Sequence, residues 1–236
     1  MEVNQTFDSF LKIKKDCTMH EINSLLNICK KLNMGQKVIS VVFYNFYNAR
    51  SNLSIEPDDV ILYSTIIDMA FKMVDVPRPI EPIINQVAEY FNQSINESDM
   101  KLYLETIYIS QLNYLIESSC DIVPPFPYNQ FIDVFRQNKF PTEMYEQSWI
   151  FLNDLIVYTP AIFIFSETEC IYSAIYIAFL LTYGSNTSGE TEVQNLASCE
   201  ANFKIKFKLS EDDTAVIYFL SDQLVSIYEQ YGTTPQ

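Results

Sequence analysis

The sequence predicts an all-α protein, and three observations support that prediction. Apolar residues recur at intervals of three and four over most of the chain, which is typical of amphipathic helices. The 236 residues include only four glycines, too few for the tight hairpins of an all-β fold. Prolines such as Pro77 and Pro79 stand at the ends of periodic segments, where a helix can stop.

Five periodic segments occupy the first half of the chain. We predict helices over residues 21–32, 36–48, 58–73, 82–93 and 98–115. Pro57 followed by Asp58 and Asp59 is typical of a helix start, because proline suits the first turn and acids favour the N-terminal dipole. That third helix is apolar nearly all round, so we expect it at the centre of its domain. Ser98 with Asp99 is a candidate cap for the fifth helix.

A segment with three prolines, residues 121–128, separates the two halves and is the predicted domain boundary. Helical patterns resume at 128–137, 143–157, 168–183 and 212–231, with a loop at 186–189. Residues 202–209 alternate between apolar residues and lysines, which is typical of a strand. Because a lone strand is not stable, we expect an extended connector or the start of a helix there. We therefore predict an N-terminal segment (1–20) and two helical units (21–122 and 123–236).

The charge of the chain limits its partners. With 15 basic and 30 acidic side chains, the formal net charge is −15. Such a chain is a poor candidate for direct nucleic-acid binding, and it suits a basic protein partner. Lys204, Lys206 and Lys208 are candidates for touching phosphate, but we interpret them as a solvated face. The longest strongly apolar stretch, 171–181, is far shorter than the roughly 20 residues of a membrane span, and the polar N-terminus does not resemble a signal peptide. We expect an intracellular protein with no membrane partner.

Nothing in the sequence predicts catalysis, a metal site or a bound cofactor. His20 is the only histidine, the five cysteines form no CxxC motif, and no phosphate-binding glycine loop occurs. Acidic pairs such as Glu167 and Glu169 stand at predicted helix starts, where the helix dipole favours them structurally. We therefore expect a protein that is not an enzyme and works by binding a partner.

Lys72 is an unusual residue, because a charge at the end of the most apolar helix needs a carboxylate partner or an interface. The sequence around it resembles a known motif. Ala70-Phe71-Lys72-Met73-Val74-Asp75 resembles the A-x-K-x-E-E/D motif that closes the third helix of a cyclin box. Ile55-Glu56-Pro57-Asp58 resembles the start of the same helix. Phe43-Tyr44-Asn45-Phe46-Tyr47 resembles the aromatic end of the second helix, with Asn45 in place of a basic residue.

Further matches follow in order along the chain. Residues 105–115 resemble the fifth-helix pattern that begins with glutamate, and Pro127-Tyr128 resembles the H-P-Y that opens a second cyclin box. Residues 149–154 are similar to the W-x-x-x-N-D of cyclin C, and residues 227–230 to the ending of that protein. The resemblance covers about residues 20–231. Val74 departs from it by replacing an acidic residue.

The resemblance implies a cyclin fold of two consecutive five-helix cyclin boxes with a flanking N-terminal helix. It implies a nuclear regulatory subunit that binds and activates a cyclin-dependent kinase in RNA polymerase II transcription, together with further subunits of a transcription complex. By position, Lys72 and Glu105 would pair and contact the kinase, while Met73, Ile109 and Tyr114 would form the apolar part of the same surface.

Alternative interpretations remain open. The subtype most resembled is cyclin C, and a cyclin H-like subunit of a kinase-activating kinase is the nearest rival. A helical scaffold resembling general transcription factor IIB is an alternative of another class, which the acidic charge disfavours. Structurally, Lys72 and Glu105 could form a purely internal pair, with Tyr114 in the core.

Overall fold

The structure is a computed structural model that describes residues 2–52, 58–117, 126–183 and 192–231. These residues form twelve helices and no strand, so the all-α prediction is confirmed. The helices are α1 (Glu2–Asp16), α2 (Met19–Lys31), α3 (Gln36–Asn52), α4 (Asp59–Met73), α5 (Ile80–Tyr90), α6 (Glu97–Glu117), α7 (Pro127–Asn138), α8 (Thr142–Tyr158), α9 (Ala161–Ile164), α10 (Glu167–Tyr183), α11 (Glu192–Phe207) and α12 (Glu211–Tyr231). The predicted features at 55–57, in most of the 121–128 segment and at 186–189 lie outside the described residues.

The chain divides into two compact units. The first unit, Leu11–Pro125, contains α2 to α6 and the end of α1. The second unit combines Met1–Phe10 with Phe126–Gln236 and contains α7 to α12. The sequence predicts an N-terminal segment at 1–20 and a boundary at 122, and the contacts divide the chain after Phe10 and after Pro125.

The first unit is built around α4, which contacts α3, α5 and α6. Residues 62–71 of this helix are all buried, as its apolar pattern predicted. The Asp58 carboxylate accepts a hydrogen bond from the Val60 N–H at 2.8 Å and caps the helix at its predicted start. The cap of α6 comes earlier than the sequence indicated, because the Asn96 side chain accepts from the Asp99 N–H at 2.9 Å.

The second unit is built in the same way around α10, which contacts α7, α8, α9, α11 and α12. Nearly all of its residues from Cys170 to Phe179 are buried. The first residues of α1 belong to this unit because two phenylalanines anchor them. The rings of Phe7 and Phe10 lie 4.2 and 5.1 Å from the ring of Phe219.

The segment 202–209 is the main departure from the predicted secondary structure, because residues up to Phe207 form the end of α11. Phe203 and Phe207 stand one turn apart with ring centroids 4.6 Å from each other, and Phe203 is 1% exposed. Ile205, between them, is 75% exposed. In this helix Phe203 and Phe207 therefore lie on one face and pack together, whereas Ile205 is left in solvent. Lys208, with φ 53°, ends the helix.

Replacing Phe203 with alanine tests this helical arrangement. We expect Phe203→Ala to lower the free energy of unfolding by about 3–5 kcal/mol, because it empties a closely packed aromatic site. Ile205→Ala is the matched control, with an expected change within about 0.5 kcal/mol. Urea unfolding followed by circular dichroism measures both. Equal effects from the two variants would contradict the helix, since a strand places both side chains on one face.

Candidate protein-interaction site

A polar network joins the end of α4 to the middle of α6. The Lys72 Nζ lies 2.6 Å from the Asp68 Oδ2 and donates a hydrogen bond to the Gln111 Oε1 at 3.1 Å. The Gln111 Nε2 in turn donates to the same Asp68 oxygen at 2.7 Å. Asp68 is buried, whereas about half of the Lys72 side chain faces solvent. The network therefore neutralises a buried carboxylate and presents an ammonium group at the surface.

Local sequence accounts for this network. Lys72 lies in the last turn of α4, where the helix dipole favours a cation, and Asp68 stands one turn before it. Packing of α6 on α4 brings Gln111 to the same point. The ring of Tyr108, one turn earlier on α6, lies 5.7 Å from the Lys72 Nζ and adds a cation–π contact.

The predicted pairing of Lys72 with Glu105 is not formed. Glu105 is exposed, and it makes no ion pair or hydrogen bond with any residue in the part of the chain that the structure describes. At about 100° per residue, Glu105 lies roughly 120° around α6 from Gln111, which takes the partner position instead. The carboxylate that pairs with Lys72 is Asp68 on the same helix, and α6 contributes the amide of Gln111 rather than Glu105.

Tyr114 lies in the interior rather than on the predicted surface. Its side chain is 4% exposed, and its hydroxyl group donates to the Asn45 Oδ1 at 3.1 Å. The same hydroxyl accepts from the Asn48 Nδ2 at 2.7 Å. Burial raises the pKa of Tyr114, so the hydroxyl stays protonated and available as a donor. The structural alternative is therefore correct for this residue, which holds α6 against α3.

Asn45 extends this buried network toward the end of α4. Its side-chain Nδ2 lies 3.4 Å from the Ile66 carbonyl oxygen and 3.5 Å from the sulfur of Met73. Met73, the residue next to Lys72, is partly exposed. The neutral side-chain amide of Asn45 therefore contacts the end of α4. The cyclin pattern has a basic residue at this position.

Tyr114→Phe tests the buried network. We expect it to lower the free energy of unfolding by about 1–3 kcal/mol, because two buried amides lose a shared partner. Tyr108→Phe, on the exposed side of the same helix, is the control and should stay within about 0.5 kcal/mol. Thermal and urea unfolding measure both variants. Equal stabilities for Tyr114→Phe and the unmodified protein would show that the hydroxyl contributes nothing.

The outward side of α6 carries an exposed apolar surface. We call it the α6 stripe, and it consists of Leu102, Ile109, Leu112 and Ile116. These side chains are between 57% and 64% exposed and repeat at intervals of three, four and seven residues. They lie on the side opposite the buried Ile107 and Tyr114. Glu105 lies inside the stripe, between its first two members.

Of the stripe, only Ile109 is among the binding residues that the sequence predicts. The signal for the rest was present, since α6 carries apolar residues on two opposite faces. A surface helix needs only one apolar face, so the second requires an explanation. The cyclin resemblance assigned no binding role to Leu102, Leu112 or Ile116, so they were not among the predicted binding residues.

The acidic residues at helix starts and the buried thiols have structural roles. The carboxylates of Glu169 and Asp213 accept hydrogen bonds at helix starts, from the Ser166 N–H at 2.7 Å and from the Ser210 N–H at 3.0 Å. Hydrogen bonds from Ser210 lower the pKa of Asp213. Burial raises the pKa of Cys17 to about 12, which disfavours a reactive thiolate. In the described ranges, no group of residues is arranged to hold a metal ion, and no helix has the length and apolar character to cross a membrane.

Comparisons with known proteins identify the fold. No family model matches the sequence, and no curated protein matches it. Among solved structures, the chain is similar to a chain of the yeast RNA polymerase II CTD kinase CTDK-1 complex. The TM-score is 0.62 at 14% sequence identity, over 95% of this chain and 79% of the other. Together with the two helical units, this similarity confirms the predicted all-α cyclin fold.

Proposed function

We propose that this protein is a cyclin-like regulatory subunit that binds and activates a cyclin-dependent protein kinase. The observation that carries the proposal is the α6 stripe, with the Lys72 network beside it. These features lie on the two helices that correspond, in the cyclin resemblance, to the third and fifth helices of the first cyclin box. In this proposal the chain itself catalyses nothing and acts by holding the kinase in its active arrangement.

The stripe suits a lasting contact with a helix of a partner. Four large apolar side chains are exposed on one face of α6, with Glu105 between the first two, and exposed apolar patches mark interaction sites on proteins. A partner helix that presents its own apolar face would bury both surfaces. Because the opposite side of α6 packs on α4, the stripe is fixed in place before binding.

The polar groups around the stripe would fix the orientation of a bound partner. The Lys72 ammonium is held by Asp68 and Gln111 and still has about half of its side chain in solvent, so it can donate to a kinase backbone carbonyl. Glu105 offers a carboxylate inside an apolar surface, where it favours a basic or N–H-donating partner group. An apolar centre bordered by polar and charged groups is typical of specific interfaces.

The finer proposal is a cyclin C-like subunit that acts in the nucleus in RNA polymerase II transcription, in company with further subunits of a transcription complex. It is supported by the sequence motifs quoted for residues 149–154 and 227–230. The solved structure with the similar fold comes from a complex described as an RNA polymerase II CTD kinase. The cyclin H-like subtype predicts a different substrate, namely another kinase.

The test is a pull-down with the tagged chain from native nuclear extract, followed by kinase assays on the eluate. One assay uses a peptide from the polymerase C-terminal domain and a second uses an inactive kinase as substrate. Activity on the first supports the cyclin C-like proposal, and activity on the second supports the cyclin H-like subtype. Recovery of polymerase or DNA without any kinase would contradict both and favour the scaffold alternative.

A further inference from the structure

The basic residues of the second unit are concentrated in one place. This unit contains five Lys and Arg residues against sixteen Asp and Glu residues. All five basic residues belong to two short stretches, 136–139 at the end of α7 and 204–208 at the end of α11. The rest of the unit carries acidic side chains alone among its charged residues.

Aromatic contacts hold the two helix ends together. Phe140, which follows Lys139, packs against Phe135 of α7 and Phe207 of α11, with ring centroids 5.2 and 6.0 Å away. The Lys206 Nζ lies 4.8 Å from the centroid of the same Phe140 ring. Lys206 therefore lies beside the end of α7, where Lys139 precedes Phe140, whereas the partly exposed Lys204 faces another side of α11, with its Nζ 5.5 Å from the centroid of the Tyr218 ring. We call the surface around Lys206 the α11 basic patch, and it consists of Lys139, Ile205, Lys206 and Lys208.

A purely structural role explains only part of this patch. Lysines in the last turn of a helix are favoured by the helix dipole, which accounts for Lys204 and Lys206. It does not account for Ile205, which is the most exposed of the large apolar side chains in the described residues. An isoleucine in solvent between two lysines combines an apolar contact with positive charge, as a binding surface requires.

We propose that the α11 basic patch binds a short acidic peptide segment of a partner protein, in which an apolar side chain stands beside the acidic residues. The acids would lie against the lysines, and the apolar side chain would cover Ile205. This surface belongs to the second unit, whereas α4 and α6 belong to the first, and the inference does not rest on the proposed kinase contact.

Charge favours a peptide over a nucleic acid as the occupant. The patch is short, and Glu211 and Asp212 follow Lys208 almost at once at the start of α12. A long polyanion would extend past the lysines onto acidic surface, where repulsion acts over a screening length of about 8 Å. A peptide of a few residues places its negative charges only where positive ones stand.

Fluorescence anisotropy with the full-length protein tests the inference. The probe is a labelled short peptide of alternating glutamate and leucine at physiological salt, and it should bind with an affinity that falls as salt is raised. Lys206→Glu/Lys208→Glu should weaken binding by about tenfold or more, since each reversal replaces an attraction with a repulsion. Ile205→Ser should weaken the binding of this peptide and leave the affinity for a glutamate–serine peptide unchanged.

Lys12→Glu/Lys15→Glu is the matched control, because it makes the same change in net charge at the exposed end of α1. It should alter the affinity by less than about twofold, and circular dichroism should show that both double variants are folded. Equal losses in the two double variants would overturn the proposal, as would the absence of binding. Tighter binding of a single-stranded oligonucleotide than of the peptide would overturn it in favour of nucleic acid.

Discussion

Replacing Ile109 and Leu112 together with aspartate is expected to abolish the binding of the proposed kinase partner and to leave the protein folded. Both side chains lie in solvent on the α6 stripe, at 60% and 57% exposure, so their loss leaves no cavity in the first unit. In a complex, each would be buried in the middle of the contact. Burial of such a side chain contributes about 1.5–3 kcal/mol, and central interface residues often exceed 2 kcal/mol.

Two such losses, with two carboxylates added to an apolar contact, correspond to a dissociation constant that is about a thousandfold higher. The measurement is a surface plasmon resonance titration against the kinase recovered in the pull-down, with helicity and melting temperature recorded for each variant. Ile150→Asp/Leu181→Asp in the second unit is the matched control, because these side chains are 49% and 55% exposed. Unchanged kinase affinity for the stripe variant, or an equal loss in the control, would place the contact elsewhere.

Helix content and the central helices could be predicted from the sequence because they depend on local patterns. Apolar residues predominate over 62–71 and 170–179, which are too long for a typical strand, and the sequence predicted the first of these helices at the centre of its unit. The Asp58 cap followed from local chemistry as well, since it needs only residues two positions apart.

The end of α11 could not be read in this way. Phe203, Ile205 and Phe207 satisfy a period of two and, if Ile205 is ignored, a period close to four. What decides between them is tertiary packing, because the Tyr176 ring lies 5.1 Å from the Phe203 ring and the Tyr172 ring 4.7 Å from the Phe207 ring. Those aromatic residues are about 30 positions away in the sequence and supply the surface that fixes the helix.

The candidate site was predictable at the level of helices and not of side chains. Lys72 stood out because a charge ended an apolar helix, but the carboxylate that pairs with it, Asp68, lies one turn earlier on the same helix, and α6 adds the amide of Gln111. Which face of α6 points inward depends on its rotation. Sequence could not fix this because α6 is apolar on both sides, and the structure places Gln111 and Tyr114 inward and Glu105 outward.

The outward position of Glu105 leads to a second prediction with a large effect. Glu105→Lys is expected to weaken kinase binding by about 30-fold or more, because it places a positive charge where the partner would present a basic or N–H group. Glu105→Gln should have a smaller effect, since the amide keeps an acceptor and loses only the charge. Neither variant should alter the melting temperature, because the carboxylate is exposed on α6.

Glu117→Lys is the control for this pair, because it makes the same change on an exposed residue of the same helix, beyond the last residue of the stripe. Salt provides an independent readout. If the carboxylate pairs with a cation, higher ionic strength should weaken kinase binding by the unmodified protein more than kinase binding by Glu105→Gln. If Glu105→Lys binds the kinase as tightly as the unmodified protein, Glu105 is a solvated charge. The role that the cyclin resemblance implies for it would then be wrong, while the apolar stripe would stand on its own test.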